Sequence, residues 1–546
     1  MKRRDEPAID GEGALVTVTT MFFRIVLLLM AAVPMWGQVE EGELAAGKAL
    51  YAANCLICHQ LNGQGTPGAF PPLAKSDFLV KDLERSIKAV CEGLSGEIVV
   101  NGRRYNNSMP PALLNDDQVA SVMTYVLNSW GNGGGRVTRE QVEEARRETQ
   151  YPTFRALEEA NRYEPLPKAA EGMKIRELAR PSVHFTRLAG KKGGGDLYGL
   201  ALNGDVFAID RTNGSSRQVL WGRNYINKKL GEPFCAGLCF DSKNRMYVTV
   251  NQRNESGTLV TNEVTIFRST TEEEGEAKEP RSWYRVAYPH GIGGFNHGVH
   301  QIAEGPDGMI YVTSGSRTDG NEEGNDPRYW KGGEHELTAC IWRFDPAAEV
   351  PRLEIYARGL RNAFGFCWND AGEMFATENG PDANAPEELN RIEKGKHYGF
   401  PYQFADWNQK AYPYTPDAPK GLEFTRPIRN LGPDGGRGKP ISTFDPHSSP
   451  AGIVWLGKSF RGEYGESFLV VRFGQLVETA GDVGFDLLRI RMKEGGDAEV
   501  KVLLRPLARP LDLNVADGKI FLLEYTRSVT GKGSMGFPGR ILEISF

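Results

Sequence analysis

A chain of 546 residues is longer than one ordinary hydrophobic core supports, and it predicts two or three domains. A net charge of −5 with 25% charged residues leaves no basic excess, which argues against nucleic acid as a partner. The 64 glycines and 32 prolines are a heavy load of turn formers, as expected where many short strands reverse direction, so most of the length reads as all-β.

Met21–Gly37 is the only strongly apolar run. It is shorter than the roughly 20 residues a membrane span needs and it ends in small residues, so residues 1–37 read as a secretory signal. The alternative is an uncleaved N-terminal anchor. The polar residues before Met21 are unusual for a signal, which raises Met21 itself as a start site. After cleavage no stable membrane span is expected, and the location is periplasmic or secreted.

Cys55-Leu-Ile-Cys58-His59 has the C-x-x-C-H spacing of c-type haem attachment: two thiols bond the vinyl groups and the adjacent imidazole binds iron. Apolar residues at helical spacing predict helices over 42–51, 82–93 and 116–129. Between the last two, Asn106-Asn-Ser-Met109-Pro-Pro111 is a proline-stiffened loop presenting a thioether. His59 is the only histidine before His184, which makes Met109 the expected sixth iron ligand; Met123 falls on the apolar periodicity of its helix and reads as core. Residues 38–130 thus form a predicted haem domain, and they resemble class I cytochromes c over about 42–130. Haem attachment of this kind takes place outside the cytoplasm, in agreement with the signal. Two of the seven cysteines are used here; Cys91 reads as core, and the pairs Cys235/Cys239 or Cys340/Cys367 stay open as disulfides.

Residues 131–175 are glycine-rich, then charged, then proline-punctuated, and read as a linker whose Arg139–Arg147 run is a solvated helix face. From 176 to 546 a turn-then-strand repeat recurs at Asn203-Gly-Asp-Val-Phe, Lys243-Asn-Arg-Met-Tyr, Asp307-Gly-Met-Ile-Tyr, Ala371-Gly-Glu-Met-Phe, Tyr464-Gly-Glu-Ser-Phe and Asp517-Gly-Lys-Ile-Phe. These repeats predict six blades with long loops, the longest spanning Tyr402–Pro450 and placed to build a pocket. The fold class is therefore an all-β six-bladed β-propeller with a small all-α haem domain at its N-terminus.

Gly291-Ile-Gly-Gly-Phe-Asn-His297-Gly-Val-His300 sets two imidazoles three residues apart among glycines, ahead of a Gly305-Pro-Asp turn and a strand. Histidine changes protonation near neutral pH, so the pair contains a candidate base. Together with Gly359-Leu-Arg361-Asn362 and Glu378-Asn-Gly380-Pro381, this stretch resembles the soluble quinoprotein sugar dehydrogenases, six-bladed propellers that use pyrroloquinoline quinone (PQQ). The resemblance implies that His297, eight residues before the Gly-Pro-Asp turn, is the general base that takes a substrate hydroxyl proton; His300 is the second candidate, otherwise structural. It implies that Arg361 and Asn362 hold the quinone, with Arg361 at its reactive carbonyl, and that the main-chain carbonyls of Gly380 and Pro381 bind the calcium that clamps it. Arg472 stands near the family's Lys on a PQQ carboxylate and Arg509 near its C-terminal quinone-binding Arg, though each is also compatible with a surface charge. His397 reads as structural.

One departure stands out. Members with glucose activity carry Asp directly after the glycine closing the strand that follows, orienting the histidine; here Gly315 precedes Ser316, and the nearest carboxylate is Asp319. The resemblance implies a sugar dehydrogenase, closer to the aldose/sorbosone branch, that passes electrons from PQQ to the covalent haem. A soluble cytochrome or a terminal oxidase then accepts them. Two alternatives are a calcium-dependent sugar lactonase, which needs Glu, Asn and Asp side chains converging on the axis, and a non-catalytic haem-bearing propeller that docks a redox partner.

Overall fold

The computed structural model describes residues 41–546 except 67–68, 95–96, 108, 110, 113, 148–161, 271–279, 293–295, 325, 406–409, 434–442, 461, 475–482 and 529–536. The predicted signal at 1–37 lies outside the described residues. Among those described, no helix is long and apolar enough to cross a membrane.

The N-terminal part is helical, with Glu41–Asn54, Leu56–His59, Asp77–Lys81, Leu83–Glu92 and Asp116–Leu127. Asn115 caps the last of these reciprocally with Gln118, satisfying the first free N–H groups. Gly47 lets the first and last helices approach closely, since a Cβ there would strike Ser121 O and Tyr125 Cβ. Tyr51, Ile87, Val119, Val122, Met123 and Val126 form the core between them, so Met123 is the packing residue its periodicity indicated. Helix Arg139–Arg147 has a charged outer face, as its sequence suggests, but its Val142 and Ala145 are fully buried in this same core. Arg146 fastens it, donating at 2.6 Å to Asp116 Oδ1 and at 2.6 Å to Leu114 O.

The remainder is a ring of six antiparallel blades, I to VI. Their innermost strands are Phe185–Gly190, Pro233–Phe240, Val299–Glu304, Ala363–Trp368, Pro450–Leu456 and Pro510–Ala516, each beside the next and the sixth beside the first. The ring closes because Lys174–Ala179, from the start of the propeller, pairs as the outermost strand of blade VI with Ile541–Ser545. Blade IV has three strands, and the chain leaves it for the long loop before returning as an edge strand, Asn430–Pro433, on blade V. Inner strands touch through glycines: a Cβ at Gly365 would meet Ala451 O, and one at Gly452 would meet the Asp512 backbone.

Five of the six sequence repeats mark the turn between the first and second strands of blades II to VI. The first does not. Asn203-Gly204 joins the second and third strands of blade I, Leu197–Ala201 and Val206–Ile209, and the equivalent turn is the run ending at Gly193–Gly195. Turn chemistry is the same for either hairpin, so local signals count the blades without fixing which hairpin they mark.

At the axis a single cation ties four blades together. Arg187 of blade I donates from Nε to Ala236 O of blade II at 2.9 Å, from Nη1 to Asp512 Oδ1 of blade VI at 3.0 Å, and from Nη2 to Phe364 O of blade IV at 3.2 Å. None of the cysteines is disulfide-bonded. Cys235 and Cys239 lie four residues apart along one strand, and Cys340 and Cys367 sit in different blades, which excludes both open pairings.

Candidate functional site

In the helical domain His59 is buried, and its Nδ1 donates to Pro71 O at 2.9 Å. That bond sets the tautomer, leaving the Nε2 lone pair for a metal, and burial favours the neutral ring a ligand must be. Cys55 and Cys58 flank the turn before it. Met109 is held through its backbone, which exchanges hydrogen bonds of 2.7 and 2.8 Å with Leu94, so the loop carrying the thioether is anchored to the residue after Gly93.

The propeller's predicted site residues come to one end of the ring, where inner strands begin and second strands finish. His297 precedes the inner strand of blade III; Arg361 and Asn362 precede that of blade IV, and Gly380 and Pro381 follow its second strand. Arg472 ends the second strand of blade V, and Arg509 precedes the inner strand of blade VI. Backbone bonds join the first of these: His297 N donates to Ser316 O at 3.1 Å, and Ser316 N donates to Arg361 O at 2.6 Å. Asn379 continues the arc, taking Asn362 O at 3.1 Å from its backbone and reaching Pro450 O of blade V at 3.2 Å from its side chain.

His297 Nδ1 lies 3.2 Å from both Ser316 O and Ser316 Oγ. The carbonyl only accepts, and the hydroxyl already donates to Thr318 O at 2.7 Å, so both partners require the proton on Nδ1. Nε2 then carries the lone pair a base needs. Ser316 thus fixes the His297 tautomer through both its carbonyl and its hydroxyl.

Asp319 has a different task from the one its position suggests. It does not reach His297 but accepts Arg361 Nη2 at 2.6 Å, Asp382 N at 3.2 Å, and a short hydrogen bond from Tyr412 OH. Arg361 is buried, donates to Asn379 O at 3.1 Å, and has its backbone N on Glu378 Oε1 at 2.5 Å. Burial, then the neighbouring Glu388, pushes the Glu378 carboxyl well above its usual range; Asn390 bridges both acids at 2.8 Å each. Tyr412 comes from the long loop, which the sequence marked for pocket building without naming a residue. Glu378, Tyr412 and the task of Asp319 were missed; a carboxylate flanked by buried polar residues was the available signal.

His300 is excluded as the base. It is buried, donates from Nε2 to His297 O at 2.8 Å, and is held neutral down to about 3 by burial and by Arg187. It positions the His297 backbone. Because its folded value lies below the unfolded one near 6.5, the unfolded chain binds one proton more between those limits. Stability therefore falls as pH drops through that window, at about 1.4 kcal/mol per pH unit for this group. His300→Gln is expected to flatten that slope by one proton, measured by denaturant unfolding at pH 5 and pH 7. His397 is structural as expected, accepting Gly399 N at 3.1 Å.

Arg472 forks onto Asp486 at 2.9 and 2.6 Å, and its Nη1 is ion-paired with Asp445 Oδ2 at 3.6 Å. Arg509 lies over the rings of Phe473 and Phe485 at 5.2 and 5.1 Å, and burial lowers its guanidinium to about 10.

Polar atoms around this arc lack partners. Among the described residues, Arg361 Nε, Asn362 Oδ1, Asn379 Oδ1 and Glu387 Oε2 are buried without a hydrogen bond, and no hydrogen bond reaches the Gly380 or Pro381 carbonyl. Burial also pushes the Glu387 carboxyl up to about 8. Unpaired buried groups are costly, and this mixture of cationic donors with free carbonyl oxygens fits a polyanionic quinone and a hard cation. Among the described residues no three His, Cys, Asp or Glu side chains are grouped to hold a metal.

Comparison with known proteins agrees with this division. A family model for glucose/sorbosone dehydrogenase matches residues 234–498, and one for cytochrome c matches residues 44–130. Cytochrome c-552 of Thermus thermophilus is 43% identical over 93 residues, which is 16% of this chain and 70% of that protein. Quinoprotein glucose dehydrogenase B of Acinetobacter calcoaceticus is 22% identical over 288 residues, 47% of this chain and 56% of that protein. The PQQ-bound aldose sugar dehydrogenase of Streptomyces coelicolor aligns with a TM-score of 0.48 and 21% identity, covering 69% of this chain and 99% of that one. The chain thus carries a glucose/sorbosone dehydrogenase domain over residues 234–498 and, on the same polypeptide, a cytochrome c domain over residues 44–130.

Proposed function

We propose that this protein oxidises a sugar or related aldose with PQQ and calcium held at the end of the ring, and hands the electrons to haem c on its own N-terminal domain, in the periplasm or outside the cell. One juxtaposition carries it: a histidine with its proton fixed on Nδ1 lies one residue's hydrogen bond away from a buried arginine with an unpaired donor, on a chain that also carries Cys55-x-x-Cys58-His59.

When bound, PQQ supplies the hydride acceptor. His297 takes the substrate hydroxyl proton on Nε2, and Ser316 steadies the cation that forms. Arg361, locked by Asp319 and by Glu378 beneath its backbone, would hold the quinone with its remaining donor and favour negative charge there. Asn362 orients the ring beside it. The carbonyls of Gly380 and Pro381 would hold calcium, Arg472 would stand near a PQQ carboxylate and Arg509 would help bind the quinone. On the haem side Cys55 and Cys58 would bind the haem through thioethers, and His59 and Met109 would hold its iron. The sugar is the small-molecule partner, and a soluble cytochrome or terminal oxidase drains the haem.

Titrating the PQQ-free protein with PQQ and calcium, while following the haem Soret band during aldose addition, tests this directly. Haem reduction that requires both PQQ and sugar is expected. Sugar-lactone hydrolysis without PQQ, or no response to any aldose, would sink it. Met109→Ala is expected to keep the haem attached but lower its midpoint potential, because a Met/His pair raises the potential; a redox titration of the purified variant measures this.

A further inference from the structure

Two polar contacts join the haem domain to the propeller at the end of the ring that carries the site. Lys48, in helix Glu41–Asn54, forms a salt bridge with Glu232, the residue before the inner strand of blade II. Asn62 donates from Nδ2 to Tyr329 OH at 3.3 Å. Asn62 lies in the loop after Cys55–His59, and Tyr329 lies in the loop joining the second and third strands of blade III.

That blade III loop also begins with Ser316, which orients His297, and Asp319, which holds Arg361. Between them Arg317 turns inward, fully buried. Its guanidinium stacks over Trp330 at 5.2 Å and donates to Trp330 O at 2.9 Å, to His290 O at 3.1 Å and to Gly333 O. Trp330 is covalently next to Tyr329, whose ring has Arg253 over it at 5.4 Å. The loop is pinned further by Glu334, which accepts Arg317 N at 3.1 Å and Thr318 N at 2.8 Å. A continuous packed path thus runs from His297 through Ser316, Arg317, Trp330 and Tyr329 to Asn62 and the haem-binding motif.

We propose that this blade III loop is the electron bridge of the protein, with Tyr329 and Asn62 at the crossing and Lys48–Glu232 as the electrostatic clasp that keeps the haem domain docked over the site. The inference rests on the quinone reading above. Oxidising one sugar hydroxyl to a carbonyl releases two electrons and two protons. One proton goes to His297 and from there to solvent, and the other leaves with the transferred hydrogen when the quinone is reoxidised. The two electrons cross one at a time, so ferric haem is reduced twice per sugar and reoxidised twice by an external one-electron acceptor such as a soluble cytochrome.

The clasp is testable without turnover. A carbodiimide, which joins only amines and carboxylates already in contact, should give a Lys48–Glu232 cross-link in the peptide map of the intact holoprotein. Its absence, with Lys81–Asp77 or Lys519–Glu543 cross-linked in the same sample, overturns the docking. For the bridge, PQQ- and calcium-loaded protein is mixed with sugar and either a small dye acceptor or no acceptor. In Lys48→Glu, dye reduction stays at the wild-type rate while haem reduction slows about fivefold to tenfold, the population change expected from reversing one exposed ion pair, and adding Glu232→Lys restores it. High salt slows wild-type haem reduction in the same way. Tyr329→Phe, which removes only the hydroxyl facing Asn62, slows haem but not dye. Haem reduction at the wild-type rate in both Lys48→Glu and Tyr329→Phe overturns the bridge. A wild-type protein that reduces neither dye nor haem overturns the quinone reading itself and the bridge with it, even where the cross-link forms.

Discussion

Replacing His297 by glutamine is expected to lower sugar-dependent kcat by about 10²–10⁴-fold, the usual contribution of a positioned general base. In barrier terms that is about 3–5 kcal/mol. Glutamine preserves a polar side chain near Ser316 but has no group that can accept and then release a proton near neutral pH. The haem should be untouched: its spectrum, its attachment and its reduction by ascorbate stay as in the wild type, because His297 lies at the start of blade III, outside the helical domain. Ser316→Ala separates orientation from base chemistry. It removes one of two acceptors for His297 Nδ1, leaving the Ser316 carbonyl, and about fivefold is expected, the worth of one hydrogen bond near 1 kcal/mol. Steady-state assays with a dye acceptor measure both variants. A fully active His297→Gln would remove the base from its role and with it the chemistry assigned to this end of the ring.

Most of the architecture is legible before any coordinates, for reasons that differ by element. The C-x-x-C-H motif is a covalent requirement and tolerates no other spacing, so Cys55, Cys58 and His59 announce themselves. Blade number is legible because every hairpin needs a turn residue followed by strand formers. What pairs with what is not: Lys174–Ala179 closes blade VI with Ile541–Ser545 across nearly the whole propeller, and no local signal records such a partner. The same limit applies to side-chain partners. Arg361 is visible as a cation in a motif, whereas its hold on Asp319 and Tyr412 depends on three separate loops meeting. Asp319 looks like a substitute for the missing carboxylate at 316 because it is near in sequence; in space Ser316 faces the histidine and Asp319 faces the arginine. Helix Arg139–Arg147 reads as solvated because charges dominate its composition, yet two small apolar residues on one face suffice to dock it.

The axial arginine leads to the largest expected effect on stability. Arg187 and Asp512 are 2% and 4% exposed at their side chains, and Asp512 Oδ2 also accepts Leu188 N at 2.7 Å. Arg187→Met replaces a long stem with one of similar volume but strands the carboxylate, and breaking a buried pair from one side costs about 3–5 kcal/mol. Burial already pushes the Asp512 carboxyl up against the pull of Arg187, so without the guanidinium it takes up a proton when folded. Its folded value then lies above the unfolded one near 3.9, and the variant should lose more stability as pH rises above about 4. In calorimetry the propeller transition is expected to fall while the haem-domain transition stays in place. Adding Asp512→Asn, which keeps an acceptor for Leu188 N without the charge, should restore a large part of the loss and abolish its pH dependence. A propeller transition unchanged in Arg187→Met at pH 8 would mean that blades I, II, IV and VI do not depend on this cation, and that the ring is held by its inner-strand packing alone.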